Sequence, residues 1–358
     1  MEAKKINDKT FKKATLEDYQ QEIFDIWPQL ADRPALHTWS RVIQHATTAC
    51  EGMRKRDWSQ VLEEIAKTII WWLSFIRKCN LLCQESTHGV YDEDIVFAFP
   101  FSATEIIWDK YPWVCPVEFG LAVHEVKNIR WDDRPAQVCM CLARKKDVEE
   151  RSDDEKERAK KSLREFARLH WRHHPRYINS MEGMLQSIFS GPIYQYSFQE
   201  LFFHLIEEVG EVSEALSNAT VSECLSSDGS NGKMLKNERK RKIYAITEEL
   251  ADVFSWAVSI VAKVQSHLIS FEHYLDARHE KNELHTIRDI LKGSQHISLS
   301  AAIWQKYGLK HNELRCDHCN KRPCTCTEQR TQPLYAKALN PEQLSSIPEL
   351  LRKAIPKG

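Results

Sequence analysis

The stretch that most restricts how this chain folds is LFFHLIEEVGEVSEALSNA, residues 201–219. Leu201, Phe202, Leu205, Val209, Val212 and Leu216 recur at helical spacing, so one side of the segment is an apolar stripe that another element has to cover. The same helix carries Glu207, Glu208, Glu211 and Glu214. Residues three and four apart are neighbours on a helix surface, where like charges repel by roughly a few tenths of a kcal/mol per pair. A helix that gathers four acids beside its buried face needs positive charge from elsewhere.

A second stretch supplies more acid instead. IYAITEELADVFSWAVSIVAKV, residues 243–264, is again amphipathic, with Ile246, Leu250, Val253, Phe254, Ala257, Val258 and Val261 on one broad face. It carries Glu248, Glu249 and Asp252. Glu249 and Asp252 are three apart and share a face, as Glu208 and Glu211 do. Two antiparallel helices would bring the pairs together. For either helix alone, a solvated acidic face is an even alternative. Two in succession, each with acids three apart beside the stripe, favour a metal site. Carboxylates meeting next to a core require neutralisation, and hard oxygen ligands in that number suit Mg²⁺ or Mn²⁺.

The chain also resembles itself. WSRVIQHATTACEGM (39–53) aligns with FFHLIEEVGEVSEAL (202–216), and LEEIAKTIIWWLSFI (62–76) with TEELADVFSWAVSIV (247–261). A third block, IIWDKYPWVC (106–115), shares IW-x-KY with AIWQKYGLKHNELRC (302–316), and a Cys-x-Cys follows each. Three blocks in one order predict a tandem duplication. At the positions of Glu207, Glu208, Glu211, Glu249 and Asp252 the first half has Gln44, His45, Thr48, Glu64 and Lys67. It keeps the packing residues and loses the acids. The expectation is one metal centre, built mainly by the second half, with the first half as structural partner.

Glu207-Glu208-x-x-Glu211 followed by Glu249-x-x-Asp252 on the next helix resembles the MazG-like all-α nucleoside triphosphate pyrophosphatases, whose signature is EExxE and then ExxD. The resemblance is strongest over about 198–264 and extends weakly to 36–78. It implies an all-α helical bundle of two MazG-like repeats with small Cys-rich appendages. It also implies Mg²⁺-dependent cleavage of a nucleoside triphosphate to the monophosphate and pyrophosphate. Carried over, Glu208, Glu211, Glu249 and Asp252 are the Mg²⁺ ligands, and Glu207 is an outer acid or orients the attacking water. Such chemistry rests on positioning and electrostatics. Lys242, two turns before Glu249, is a candidate phosphate contact within the basic run NERKRK, where a solvated helix start is the alternative. The long gap between the motifs holds SSDGSNGK (226–233), read as an inserted loop. Subunits of the family share surfaces at the site. By position Trp39, His45 and Lys67 are therefore candidates for base or sugar contacts, with core packing the commoner fate of Trp39. A homo-oligomer is compatible with the same pattern.

CDHCNKRPCTC places Cys316, Cys319, Cys324 and Cys326 at a spacing that fits a tetrahedral structural Zn²⁺ site, and His318 is a substitute ligand. The first half offers Cys115, then Glu118 where a second Cys would fall, then Cys139 and Cys141. This reads as an eroded knuckle rather than a three-Cys site completed by a residue such as His124. The HWRHHP run, residues 170–175, reads as a polar helix end before Pro175 rather than a metal site.

The remaining properties bound these readings. The chain has 358 residues with 42% hydrophobic, enough for about two domains. A formal charge of −1 gives no reason to expect a stable nucleic-acid or acidic-membrane partner. The start, MEAKKINDKTFKK, lacks a signal-peptide core. TIIWWLSFI (68–76) is too short to span a membrane and reads as a buried helix. Eleven cysteines, an odd number, in an apparently cytoplasmic chain favour metal over disulfides. Only 92–100 and 134–142 look strand-like. The expected organisation is a degenerate repeat over 1–145, a charged helical connector over 146–190, a catalytic repeat with its knuckle over 191–330, and a tail over 331–358. The leading function is a nucleotide pyrophosphohydrolase. A non-catalytic zinc-containing scaffold is the alternative, as is a hydrolase of another nucleotide phosphoanhydride such as an alarmone.

Overall fold

The computed structural model describes residues 5–86, 101–121, 151–225, 232–278, 297–308 and 310–326. The strand-like stretches, Cys139, Cys141, His124 and the tail lie outside them. All the regular structure of the described residues is helical. In chain order the α-helices are α1 (Leu16–Ile26), α2 (Ala35–Lys55), α3 (Trp58–Ser86), α4 (Ala103–Lys110), α5 (Pro116–Leu121), α6 (Asp153–Leu169), α7 (Ile178–Ile188), α8 (Ser190–Gln195), α9 (Phe198–Leu225), α10 (Gly232–Arg278) and α11 (Leu299–Tyr307). The start of α10 at Gly232 takes the end of the expected 226–233 loop into helix.

Two long helical hairpins, α2/α3 and α9/α10, pack against each other as the centre of the molecule. The first hairpin turns in two residues. Arg56 adopts the left-handed conformation at the end of α2 (φ 58°), and its N–H caps carbonyls of the last turn. Gly52 sits where α3 starts back. A Cβ there would meet the Val61 backbone nitrogen and side chain at 3.2 Å.

Both predicted stripes are buried. Leu201, Phe202, Leu205, Val209, Val212 and Leu216 on α9, and Ile246, Leu250, Val253, Phe254, Ala257, Val258 and Val261 on α10, are at most 2% exposed. The apolar run 68–76 lies in α3, where Ile69, Trp72, Leu73, Phe75 and Ile76 are completely buried. Among the described residues no helix is long and apolar enough to cross a membrane. The hairpins meet through specific bonds as well as apolar contact. The Trp39 indole donates to Ser213 Oγ at 2.9 Å, the Trp72 indole donates to the Leu250 carbonyl at 3.0 Å, and Trp72 packs on Phe254.

Positions paired by the internal alignment share their environments. Trp39 and Phe202, Val42 and Leu205, Ala66 and Ala251 are buried, whereas Glu51 and Glu214 are exposed. Ser74 and Ser259 are both buried, and each donates to the carbonyl one turn back at 2.8 Å. The short IW-x-KY helices cross over. First-half α4 packs on α10, and second-half α11 packs on α3.

α4 is held rigidly. Ser102 and Glu105 form a capping box, and the fully buried Trp108 donates to the Ala167 carbonyl of α6 at 2.7 Å. The charged stretch expected to connect the halves is α6, itself opened by a Ser152–Glu155 capping box. It leans on α4 and α5 as well as linking sequence.

Candidate functional site

Glu208 and Glu211 project from α9, one turn apart, towards Glu249 on α10. One carboxylate oxygen from each of the three lies within 4.8 Å of the others. Antiparallel pairing sets this register, with Glu211 opposite Glu249 and Glu208 opposite Trp256, whose indole N–H donates to Glu208 Oε1 at 3.2 Å. Trp256 in turn stacks on His204, with ring centroids 4.5 Å apart, and Tyr196 stands beside both.

Asp252 shares a face with Glu249, but its carboxylate is turned to the first half. Lys110, the last residue of α4, bonds its Oδ2, and the Tyr111 hydroxyl donates to its Oδ1. The Lys110 ammonium also donates to the Glu248 carbonyl at 3.1 Å. The Glu248 side chain points elsewhere, to Lys160 and Arg164 of α6.

These environments separate the acids electrically. Burial pushes Glu208 far above the usual carboxylate range, and the negative charge of Asp252 adds to it against the pull of Lys110. Glu249 is likewise pushed up to about 7, by burial and then by Asp252 and Glu211, with Lys110 opposing. Glu211 is raised by burial and by Glu207. Glu248 is buried too, yet Lys160 and Arg164 more than offset that and hold it below the ordinary value. Burial works against the charge on Lys110, but Asp252 and Glu249 win and raise its affinity for the proton. Four carboxylates therefore face one ammonium, an excess of negative charge that a cation relieves.

The donor set of Glu208, Glu211 and Glu249 fits a hard divalent cation. It offers oxygen only, at a spacing that metal–oxygen bonds of about 2.1 Å close with small side-chain movements. Glu207 is exposed beside these acids, 3.2 Å from His204. Lys242 lies two turns before Glu249 and is half-buried. Beyond Lys110 a solvent-open recess of about 490 Å³ is lined by Phe101, Tyr244, Lys160 and Arg164. Its two outer cations are already engaged with Glu248.

The aligned place in the first half has its own partners. Glu64, aligned with Glu249, is bonded by His45 at 2.7 Å and by Lys67 at 2.6 Å. These bonds outweigh its burial and lower its proton affinity. Trp39, His45 and Lys67 are thus found in the core or on Glu64.

Cys316, Cys319, Cys324 and Cys326 come together as expected. Their sulfurs are 3.4 Å apart for 316–324, 3.7 Å for 319–324 and 3.8 Å for 316–326. A tetrahedron of sulfurs about 2.3 Å from zinc has edges of about 3.8 Å, so the cluster fits that ion. His318 turns to Asp317. In the first half Cys115 is buried, and its expected companions fall outside the described residues or their side chains do. His170 follows the end of α6, and His174 stacks on Trp171 at 4.1 Å.

Sequence reasoning did not assign Lys110, Tyr111 or Trp256 to the site. The signal for the first two is the shared IW-x-KY block, which by itself indicates only repetition.

The MazG nucleotide pyrophosphohydrolase domain model matches residues 196–284, about a quarter of the chain and the part that contains both acidic helices. No curated protein and no solved structure matches the chain.

Proposed function

We propose that this protein is a Mg²⁺- or Mn²⁺-dependent nucleotide pyrophosphohydrolase that cuts a nucleoside or deoxynucleoside triphosphate between its α- and β-phosphates. The products are the monophosphate and pyrophosphate. The observation that carries the reading is the convergence of Glu208, Glu211 and Glu249 inside a segment that matches that family. When bound there, the divalent ion supplies charge for the phosphates and acidifies a water.

The chain's own residues do the rest. Glu208, Glu211 and Glu249 fix the geometry, and the Trp256 indole fixes Glu208. Glu207, exposed at the mouth, takes the proton of the attacking water. Lys242 stands on the same side of α10 as Glu249, about 10 Å earlier along the helix, and offers positive charge to the phosphates. The stacked His204 and Trp256 rings give a planar surface beside the acids on which a base can lie. The Cys316–Cys326 knuckle holds a structural Zn²⁺.

We read the chain as two repeats, about 1–145 and 191–330, joined by 146–190 and followed by the 331–358 tail. The shared environments of the aligned positions support this, as do the reciprocal contacts of α4 and α11. A nucleoside triphosphate substrate accords with a cytoplasmic site of action.

The test is to incubate the full chain with Mg²⁺ and a panel of ribo- and deoxyribonucleoside triphosphates, resolving monophosphate plus pyrophosphate from diphosphate plus phosphate. Monophosphate and pyrophosphate from wild type, and none from Glu211→Gln, is the expected result. No turnover of any triphosphate with either ion overturns the reading.

A further inference from the structure

The second half sets acids beside a ring stack. The aligned place in the first half sets basic groups. Trp71 on α3 aligns with Trp256, and Arg41 on α2 aligns with His204. The Arg41 guanidinium lies over the Trp71 ring, 5.6 Å from its centroid, as the His204 ring lies over Trp256 at 4.5 Å. Arg41 donates to Gln44, three residues on, at 3.0 Å, and His204 contacts Glu207 at the same spacing. The layout is shared, but a guanidinium stands for the imidazole and a neutral amide for the acid.

Arg41 has basic company. Arg33 and His37 precede it at intervals of four residues, and Arg33 Nη1 lies 3.0 Å from His37 Nε2. They sit at the start of α2, which has no side-chain cap and no acid in its first turn. The partial positive charge of a helix start adds to theirs. Among the described residues no carboxylate pairs with Arg41 or His37, and the charges that act on them are those of arginines. Burial and Arg33 push the Arg41 guanidinium down to about 10, and burial with both arginines pushes His37 down to about 4. Arg41 is 8% exposed, and its Nε is buried with no hydrogen-bond partner among the described residues. A buried guanidinium normally has a carboxylate to neutralise it. Here its acceptor is Gln44, and a phosphate is a stronger acceptor whose oxygens match the guanidinium fork.

We propose that Arg33, His37 and Arg41, backed by Trp71, form an anion site in the first half that takes a phosphate group without a metal ion. The acids of the second half need a cation before they can meet a phosphate; the first half meets one with its own guanidinium groups. Inorganic phosphate, pyrophosphate and a nucleoside monophosphate all carry the group. The last two are products of the reaction proposed above, but the site stands on its own residues and does not depend on that reaction.

Calorimetric titration of the zinc-loaded full chain tests this, with each of the three anions in turn, at fixed ionic strength in chloride buffer free of Mg²⁺ and Mn²⁺. Wild type is expected to bind at least one of them at a ratio of one to one. Arg41→Met is expected to weaken that binding at least 10-fold with the helical circular dichroism unchanged, since it removes a charge-assisted contact. Arg41→Lys keeps the charge and loses the fork, and is expected to weaken it at least about 3-fold. Equal affinity for the three anions supports recognition of the bare phosphate group; a 10-fold preference for pyrophosphate or for the monophosphate supports the site with a second phosphate or a base also read. Failure of wild type to bind any of the three overturns the inference. Binding that Arg41→Met weakens by less than 10-fold lies elsewhere and overturns it equally. Should Arg41→Met fail to fold, Arg41→Lys decides, and affinity within about 3-fold of wild type overturns the inference. The acidic centre is untouched by any of these results, because its own test needs Mg²⁺ or Mn²⁺.

Discussion

Trp256 donates its indole N–H to Glu208 Oε1 at 3.2 Å while its ring lies within 12° of parallel to His204. One side chain thereby ties an acid of the centre to an aromatic stack. Trp256→Phe keeps a ring and removes the donor. Partners that orient metal ligands are worth about 10–100-fold in affinity. Mn²⁺ binding should weaken by roughly 10-fold, with the helical circular dichroism unchanged. Unaltered affinity would show that Glu208 orients itself without the indole.

The crowded acids oppose folding when no ion is present. Glu208→Gln keeps the shape of the side chain and removes the group whose ionisation burial and Asp252 oppose. It should stabilise the ion-free protein by about 1 kcal/mol at pH 8, since a buried carboxylate with like-charged neighbours is the costly state. Mn²⁺ should raise the thermal midpoint of wild type and leave that of the variant unchanged. Differential scanning calorimetry with and without Mn²⁺ reads both effects; a less stable ion-free variant would contradict the account.

A second buried acid, away from the centre, sets a pH dependence of its own. Glu182 on α7 is 3% exposed and accepts the Leu299 backbone N–H at the start of α11. Its other oxygen has no partner among the described residues. Burial pushes its carboxyl up to about 7. A carboxyl raised from its unfolded value of about 4.3 makes the folded state bind more protons across that window. Its contribution to stability is therefore favourable at low pH and is lost as pH rises towards 7. Glu182→Gln is neutral throughout. Its stability advantage over wild type in urea unfolding should grow by about 1–3 kcal/mol between pH 5 and pH 8. A constant difference would remove Glu182 from the pH response.

The knuckle should behave as a stapled piece of the first half. Its Cys324 N–H donates to the Ile26 carbonyl at the end of α1 at 2.6 Å, and Arg322 pairs with Glu22 and Asp25. Stripping zinc with a strong chelator, or Cys319→Ser, should lower the thermal midpoint and expose α1 to proteolysis, because a structural site of this kind contributes folding free energy directly. Cleavage sites mapped by mass spectrometry should include α1. Protection of α1 after zinc removal would make the docking independent of the metal.

The helices of the centre were readable from the chain because their information is local. A period of 3.6 residues placed Leu205, Val209 and Val212 in the core, and a spacing of three put Glu208 beside Glu211. The four cysteines were readable for the same reason. Lys110 was not, because its meaning depends on Asp252, 142 residues away, and a lysine at a helix end has an ordinary use as a solvated charge. The shared IW-x-KY block pairs Lys110 with Lys306, but a match in sequence carries no statement about which helices each one contacts. The orientation of Asp252 was hidden for a related reason: spacing says that it shares a face with Glu249 and nothing about which neighbour its carboxylate chooses. Glu182 was invisible as well, a single acid in an otherwise ordinary amphipathic helix.

The contact between Arg322 and Glu22 joins residues 300 positions apart. During synthesis at about 5–20 residues per second, α1 leaves the ribosome roughly 15–60 s before the segment that covers its acidic end exists. For that interval the first half carries an unfinished edge. The chain is thus assembled in an order opposite to its dependence, with its earliest helix completed only by the last of the described residues to be made.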